Sequence, residues 1–492
     1  MDKKKADVES FSSFLKGKDQ RLDWIILAVS CLLGYIILRV CYPYPATISD
    51  SGTYVNTAMT DIFSFYRPFG YSAFLQFVHV FSSSVHAIFI VQIILYFLAS
   101  SAFAFVVKYI YPPINKIFWY ILLFFFVFSP IAFYMANAIM SDLLFAVMVY
   151  FMLASFLYLF KKTSWIALGI FLLSLYCALQ IRYSAMIFPV LFIICFFMVK
   201  GKLRWVGIAG TVVVSLLFYN QVKSDMQKTT GFDQFSTGFD GWQLANNALH
   251  IIPHIDLQLE KISNPEMRSV HSFALAQKDR IDEITHNGTV PSASFMWIND
   301  QPLKQYLFAY MQHTGESYAP SWIKLGSGTY KRYGQYLIKK YPIEFMHYYY
   351  LPNAGSMFYV NSKEIIGKYT PINVKDISEW YKIPEGTDMN AKHTPYESFV
   401  AEASAASYIP IWIIIAIGAV LSVVMRKKLF WQSREGQLAF WVIVAAGALY
   451  YAATVFASPV SLRFWVPMNA VLFAVIYILY NRILANRKKT GA

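Results

Sequence analysis

Charge is scarce in this sequence: 14% of its 492 residues are Asp, Glu, Lys or Arg, against roughly 25% in an ordinary soluble domain. A soluble fold is unsupported once the apolar runs are considered, because several approach or exceed the roughly 18 uncharged residues that can cross hydrocarbon. Cysteine is scarce as well. Cys31, Cys41, Cys177 and Cys195 lie in or beside apolar runs and form neither metal-ligand spacing nor a disulfide framework. No HExxH, P-loop, GxSxG or dinucleotide-binding glycine pattern occurs in a suitable context, so hydrolase, ATPase and Rossmann readings have no starting point. A primary pump would need a separate ATPase, whereas an enzyme whose substrate arrives already activated on a lipid would not. Internal repeats and low-complexity tracts are also missing, and no cleavable signal is expected, since residues 1–21 form a polar, basic tail too long for a signal n-region.

What is present is apolar and aromatic: 57% of the residues are hydrophobic, with 42 Phe, 35 Tyr and 12 Trp. The formal charge of +14 is scattered in short Lys/Arg clusters at the ends of apolar segments. That distribution fits membrane lipids and the positive-inside bias and argues against nucleic acid as a partner. Lys3, Lys4, Lys5, Lys16, Lys18 and Arg21 precede the first apolar run and set a cytoplasmic N-terminus. Residues 67–84 are apolar enough to resemble a span, but Arg67, Pro68, Gly70, Gln76, His79 and Ser82 to Ser84 make it a poor one. If it crossed, five later basic clusters from Lys108/Lys116 to Arg482/Arg487/Lys488/Lys489 would face outward. The spans expected are therefore 22–40, 85–107, 117–132, 141–160, 163–180, 183–199, 205–220, 408–425, 437–455 and 464–481.

The sequence thus reads as an all-α polytopic membrane protein with about ten transmembrane helices, placed in an inner or plasma membrane with both termini cytoplasmic. Four parts follow: a tail at 1–21, a transmembrane module at 22–220 with an outer loop at 41–84, an extracytoplasmic domain at 221–407, and a C-terminal transmembrane module with its tail at 408–492. A loop as long as 221–407 is expected to be folded, functional or both. Within it, Tyr330, Tyr333, Tyr336 and Phe345 interleave with Lys331, Arg332, Lys339 and Lys340 in the mixture expected at a headgroup layer. Gly231, Gly238 and Gly241 with Trp242, Asn246 and Asn247 read either as a sugar-facing turn or as a structural turn before a helix. His250 and His254 share an i,i+4 interval that Pro253 interrupts.

Placed on this topology, the isolated polar residues converge on the outer side. Asp50, in ISDSGTY, is suited to act as a general base near the membrane surface, or to cap a helix beginning at Thr53. Asp142 opens an apolar span, where a charge is costly unless it faces water or a partner. It reads equally as a cap and as a substrate-site residue. Arg182 and Arg463 are lone cations at outer span ends, fitting headgroup snorkelling or recognition of a lipid phosphate. Arg67 could orient the first loop or contact phosphate, and His79 reads as an interfacial side chain. A divalent cation is conceivable between Asp50 and a lipid phosphate, without enough ligands to define a metal site.

The ordered set resembles the GT-C glycosyltransferases that use polyprenyl-phosphate sugars, especially the protein mannosyltransferase and lipid A aminoarabinose transferase branch. SDSGTY matches that family's first-loop acid at Asp50, and RPFGYSAFL its proline-containing segment before the second span. ANAIMSDLLFAVMVY, IRYSAMIFP and SLRFWVPMNAVLF resemble its later acidic, arginine-bearing and terminal segments, carrying Asp142, Arg182 and Arg463. The resemblance implies an inverting transfer of a sugar from a polyprenyl-phosphate donor to an extracytoplasmic lipid, glycan or protein acceptor. Asp50 would be catalytic or metal-associated, and Arg67, Asp142, Arg182, Trp242, Asn246 and Arg463 would bind substrate. A lipid or oligosaccharide flippase, and a polymerase or ligase of lipid-linked glycans, are the alternative functions.

Overall fold

The computed structural model describes residues 10–48, 50–285, 290, 293–357, 374–390, 392, 402, 411–418, 420 and 433–490. Among them the chain is helical throughout, with no strand beyond an isolated parallel bridge between Ala46 and Ala138. Among the described residues seven helices have the length and apolarity to cross a membrane: Lys18–Cys41, Val85–Ile110, Lys116–Asn137, Ser141–Lys161, Lys202–Thr230, Arg434–Ala457 and Leu462–Ala485. Trp165–Ile181 and Tyr183–Phe196 are shorter apolar helices at two further expected spans. At the expected span 408–425, residues 411–418 are helical and much of the remainder lies outside the described residues. Gly70–Phe81, within the segment read as non-spanning, is a helix of only 12 residues.

Side-chain caps begin many of these helices. Ser84, Asn115, Ser129, Ser164 and Ser433 each accept a hydrogen bond from a first-turn amide, satisfying donors that would be costly to orphan in apolar surroundings. The Ser141–Lys161 helix occupies the centre, contacting Val85–Ile110, Trp165–Ile181, Arg434–Ala457 and Trp465–Thr490. The Lys202–Thr230 helix is peripheral and leaves Trp205, Val213, Leu216 and Leu217 exposed.

Charged groups gather at opposite ends of the bundle. At one end, buried Asp23 accepts from Lys108 and from Trp119 Nε1, the latter at 2.8 Å, while Lys116 pairs with Asp19 at 3.1 Å. At the other end of the first long helix, Arg39 reaches His86 Nδ1 at 3.1 Å. Residues 239–357 contribute an aromatic part of the hydrophobic core, in which Trp242, Trp322, Tyr330, Tyr333 and Tyr349 are fully buried. This corrects the headgroup reading for part of the aromatic helix: Tyr330 and Tyr333 face that core because the Lys331–Lys340 helix lies against Phe239–Ala248. The glycines allow the close approach. A Cβ on Gly241 would sit 1.8 Å from the Gly326 carbonyl oxygen, and Gly238 adopts φ +79° at the helix start.

Gly70 plays a similar part below the site described next. A Cβ there would lie 2.5 Å from the Gln180 carbonyl oxygen, whereas one on Gly169 would meet nothing within 4 Å. Gly70→Ala is expected to cost about 1–3 kcal/mol, because a backbone carbonyl cannot rotate away as a side chain can. Thermal unfolding of the purified variants would show it: a lowered midpoint for Gly70→Ala and none for Gly169→Ala. Equal midpoints would contradict the close packing.

Candidate functional site

The first loop is fastened to the start of the central helix by its backbone. Ala46 N–H donates to the Asn137 carbonyl at 2.9 Å, and Ile139 N–H donates to the Ala46 carbonyl at 3.0 Å. Ser51, fully buried, accepts from Ile48 N–H at 2.9 Å and donates to the Ile139 carbonyl at 3.0 Å. Tyr54 Oη and Ser141 Oγ are 2.9 Å apart. Asp50 is thereby held near the N-terminus of the Ser141–Lys161 helix, whose second residue is Asp142.

Asp50 precedes the Ser51–Thr60 helix but makes no side-chain cap. Its carboxylate is used elsewhere: Oδ1 accepts from Arg67 Nη2 at 2.5 Å and Oδ2 from Arg463 Nη1 at 2.8 Å, the latter a contact spanning 413 positions of sequence. Arg67 also donates to Tyr54 Oη at 3.2 Å and lies over the rings of Tyr54 and Tyr66, 5.1 and 5.2 Å from their centroids. Burial by itself would raise the Asp50 pKa. The charges and hydrogen bonds of Arg67 and Arg463 outweigh it and hold the carboxyl well below the ordinary carboxylate range. In this arrangement Asp50 is a counterion and a poor proton acceptor.

Asp142 lies in the first turn of its helix, where Met140 is the capping residue and contributes no side-chain bond. One oxygen of Asp142 pairs with Arg182, and the other, Oδ2, is buried without a hydrogen-bond partner. Phe464 lies between the arginines, its ring centroid 5.5 Å from Arg182 Cζ and 5.4 Å from Arg463 Cζ. Asp50, Arg67, Asp142, Arg182 and Arg463 therefore form one neighbourhood of two carboxylates and three guanidinium groups. Nε of Arg67 and of Arg463 are buried without an acceptor. The surplus positive charge and spare donors suit an anion.

Two asparagines distant in sequence, Asn247 and Asn353, fasten the turn before Arg463. Asn353 Nδ2 donates to the carbonyls of Val455 at 2.7 Å and Ser458 at 2.9 Å, and its Oδ1 accepts from Val460 N–H at 2.7 Å. Asn247 Nδ2 donates to the carbonyls of Phe456 and Ala457 at 2.9 and 3.2 Å. The sequence singles out Asn247 only as part of a glycine-bearing turn and Asn353 not at all, so neither is expected on the turn before Arg463: an Asn in a mixed segment does not show which distant backbone it will meet.

Trp242 and Asn246 are both fully buried within the 239–357 segment, away from direct contact with Asp50. Trp242 stacks on Trp322 at 3.9 Å and donates Nε1 to the Trp322 carbonyl at 3.0 Å. Asn246 donates to Asn247 Oδ1 at 3.2 Å. The link to the arginines is indirect, since Trp322 meets Phe65 at 6.3 Å, two residues before Arg67. His79 packs on Trp380 at 4.1 Å. His250 approaches the Asn247 carbonyl, whereas His254 stacks on Tyr348, so the two histidines diverge. A divalent cation does not fit the charged cluster as arranged: both Asp50 oxygens face guanidinium groups, and no group of three His, Cys, Asp or Glu suited to a metal occurs among the described residues.

No protein-family profile and no curated protein matches the chain. A search of solved structures finds the archaeal oligosaccharyltransferase AglB from Archaeoglobus fulgidus, in complex with an inhibitory peptide and a dolichol-phosphate. The two align at 11% identity and a TM-score of 0.44, over 96% of this chain and 52% of that one. The present chain thus spans about half the length of that structure's chain.

Two outcomes follow from the geometry. Asn353→Ala leaves the partly buried Val460 amide and the Val455 and Ser458 carbonyls short of a partner, at an expected cost of about 1–3 kcal/mol. Hydrogen exchange at residues 458–461 should accelerate while Val85–Ile110 stays protected; unchanged exchange at 458–461 would refute the clamp. Because its folded pKa is depressed, Asp50 contributes stability that is fully present above its ordinary value of 3.8 and is lost as pH falls towards the lower folded value. Asp50→Asn should therefore lower the unfolding midpoint at pH 7 and reduce its dependence on acid; the same acid dependence in both proteins would exclude Asp50 as a contributor.

Proposed function

We propose that this protein is a membrane glycosyltransferase of the GT-C type, transferring a sugar from a polyprenyl-phosphate donor to an acceptor on the extracytoplasmic side. Its large 221–407 segment lies on that side and both termini are cytoplasmic in this reading. The observation that carries it is the meeting of Asp50, Arg67 and Arg463 from widely separated parts of the chain beside the Asp142–Arg182 pair. An activated lipid-linked donor supplies its own leaving group, which fits a chain without a nucleotide-binding motif.

The donor phosphate competes with Asp50 for the guanidinium groups of Arg67 and Arg463. Once they turn to the phosphate, the Asp50 carboxylate loses the contacts that depress its pKa and becomes a better base. The acceptor oxygen then attacks the anomeric carbon as the bond from that carbon to the phosphate oxygen breaks. The bonding electrons pass to the phosphate, the arginines bind the charge that develops, and the acceptor proton goes to Asp50. Attack opposite the leaving group inverts the anomeric centre. Arg182 and Asp142 support the phosphate side, and the acceptor is a lipid, glycan or protein presented by the outer segment.

Purified protein supplied with a polyprenyl-phosphate sugar should yield free polyprenyl phosphate and a glycosylated acceptor. Asp50→Asn and Arg463→Ala at normal abundance should lose transfer by about 100-fold or more, the range for removing a base or a charge-stabilising donor. Normal turnover in Asp50→Asn removes Asp50 from the chemistry, and substrate movement without covalent transfer favours a flippase. The pH dependence carries a sign. Asp50 must be ionised, and donor binding raises its pKa, so the acid limb of kcat should lie at higher pH than that of kcat/KM. Coincident limbs would rule out the exchange of arginine partners.

A further inference from the structure

The outer segment holds a second set of unsatisfied donors on different elements from the arginine cluster. Lys304, on the Pro302–Thr314 helix, is 4% exposed, yet it has no carboxylate partner among the described residues and its hydrogen bond runs to the Tyr318 hydroxyl. Four rings surround its ammonium, with centroids at 4.7 Å for Tyr318, 5.0 Å for Trp322 and 5.9 Å for both Trp242 and Trp297. Aromatic faces attract a cation, but they do not replace the acceptors that a buried ammonium gives up in leaving water. Burial pulls the Lys304 pKa down to about 8, so the group remains a cation at neutral pH. Trp322 adds a further donor, because its Nε1 is buried without an acceptor.

Two of the four rings reach the surface. Trp297 and Tyr318 are 40% and 37% exposed. Tyr66 packs edge-on against Trp297 at 5.9 Å and carries Arg67 over its own ring at 5.2 Å, so one tyrosine separates the box from the arginine cluster. Exposed flat rings beside a buried unpaired cation match a sugar ring that carries negative charge: the apolar face of the sugar stacks while the anion accepts from the donors.

We propose that Lys304, Trp297, Tyr318 and Trp322 form a binding subsite for a saccharide bearing an anionic group, a carboxylate or a phosphate. Its use in acceptor recognition rests on the glycosyltransferase reading, but the binding itself does not. A neutral sugar can stack on the rings and leaves the ammonium unpaired, so it binds about 10- to 100-fold more weakly, the range for one lost charge-assisted hydrogen bond.

Full-length protein in lipid nanodiscs, without donor, is titrated with glucuronic acid, glucose 6-phosphate and glucose while tryptophan fluorescence and saturation-transfer NMR are followed. At least one anionic sugar should bind no less than about tenfold more tightly than glucose, and the stronger of the two identifies carboxylate or phosphate as the preferred group. Lys304→Met should erase that preference, Lys304→Arg should retain part of it, and Trp297→Ala, at an exposed ring, should weaken all three sugars. Equal binding of the three by the wild type overturns the proposal, as does a preference that survives in folded Lys304→Met. Should Lys304→Met fail to fold, the wild-type preference and Trp297→Ala decide. Failure of the glycosyltransferase reading would leave these titrations unchanged, whereas active transfer with no charge preference would overturn the subsite alone.

Discussion

The contact of Asp50 with Arg67 and Arg463 is the constraint around which the site is arranged. It joins the first loop to the start of the last long helix across 413 positions of sequence, among side chains that are partly buried. Removing one partner there leaves the others partly buried and uncompensated, which costs more than losing a fully exposed pair. The supporting structure serves this contact. Ala46 and Ser51 fix the loop to residues 137–139, Asn353 and Asn247 fix the turn before Arg463, and Gly70 lets the short helix after Arg67 approach Gln180.

The two ends of the bundle show how a structural ion pair differs from a site. Asp23 and Lys108 balance one charge with one, and Trp119 occupies the second carboxylate oxygen. At the opposite end, the cluster around Asp50 and Asp142 has three guanidinium groups, those of Arg67, Arg182 and Arg463, for two carboxylates, with spare Nε donors on Arg67 and Arg463 and an unpartnered oxygen on Asp142. A purely structural network would gain by satisfying those groups. Left open, they favour an anionic ligand that can exchange partners with Asp50, and that exchange is what would turn a counterion into a base.

Much of this was legible in the sequence, because a charge at the end of an apolar run needs a physical reason. Asp142, Arg182 and Arg463 stand out on that ground, Asp50 and Arg67 as charged residues of the first loop, and the weakness of 67–84 as a span follows from its Arg, Pro and Gly. Which carboxylate meets which arginine was not legible: it depends on backbone contacts such as Ala46 with Asn137, made by residues with no individual signature. Lys304 escaped notice because a lysine in a mixed helix reads as solvated until the fold closes aromatic rings over it. The same closure turned Tyr330 and Tyr333 inward, since an aromatic and basic pattern looks alike whether its rings meet lipid headgroups or a protein core.

A structure of the full chain bound to a short-chain polyprenyl phosphate is the most direct test of the central claim. It should show the phosphate between Arg67 and Arg463, with at least one of their contacts to Asp50 broken and the carboxylate turned towards open volume. A phosphate bound elsewhere, with Asp50 still bridging both arginines, would contradict the account.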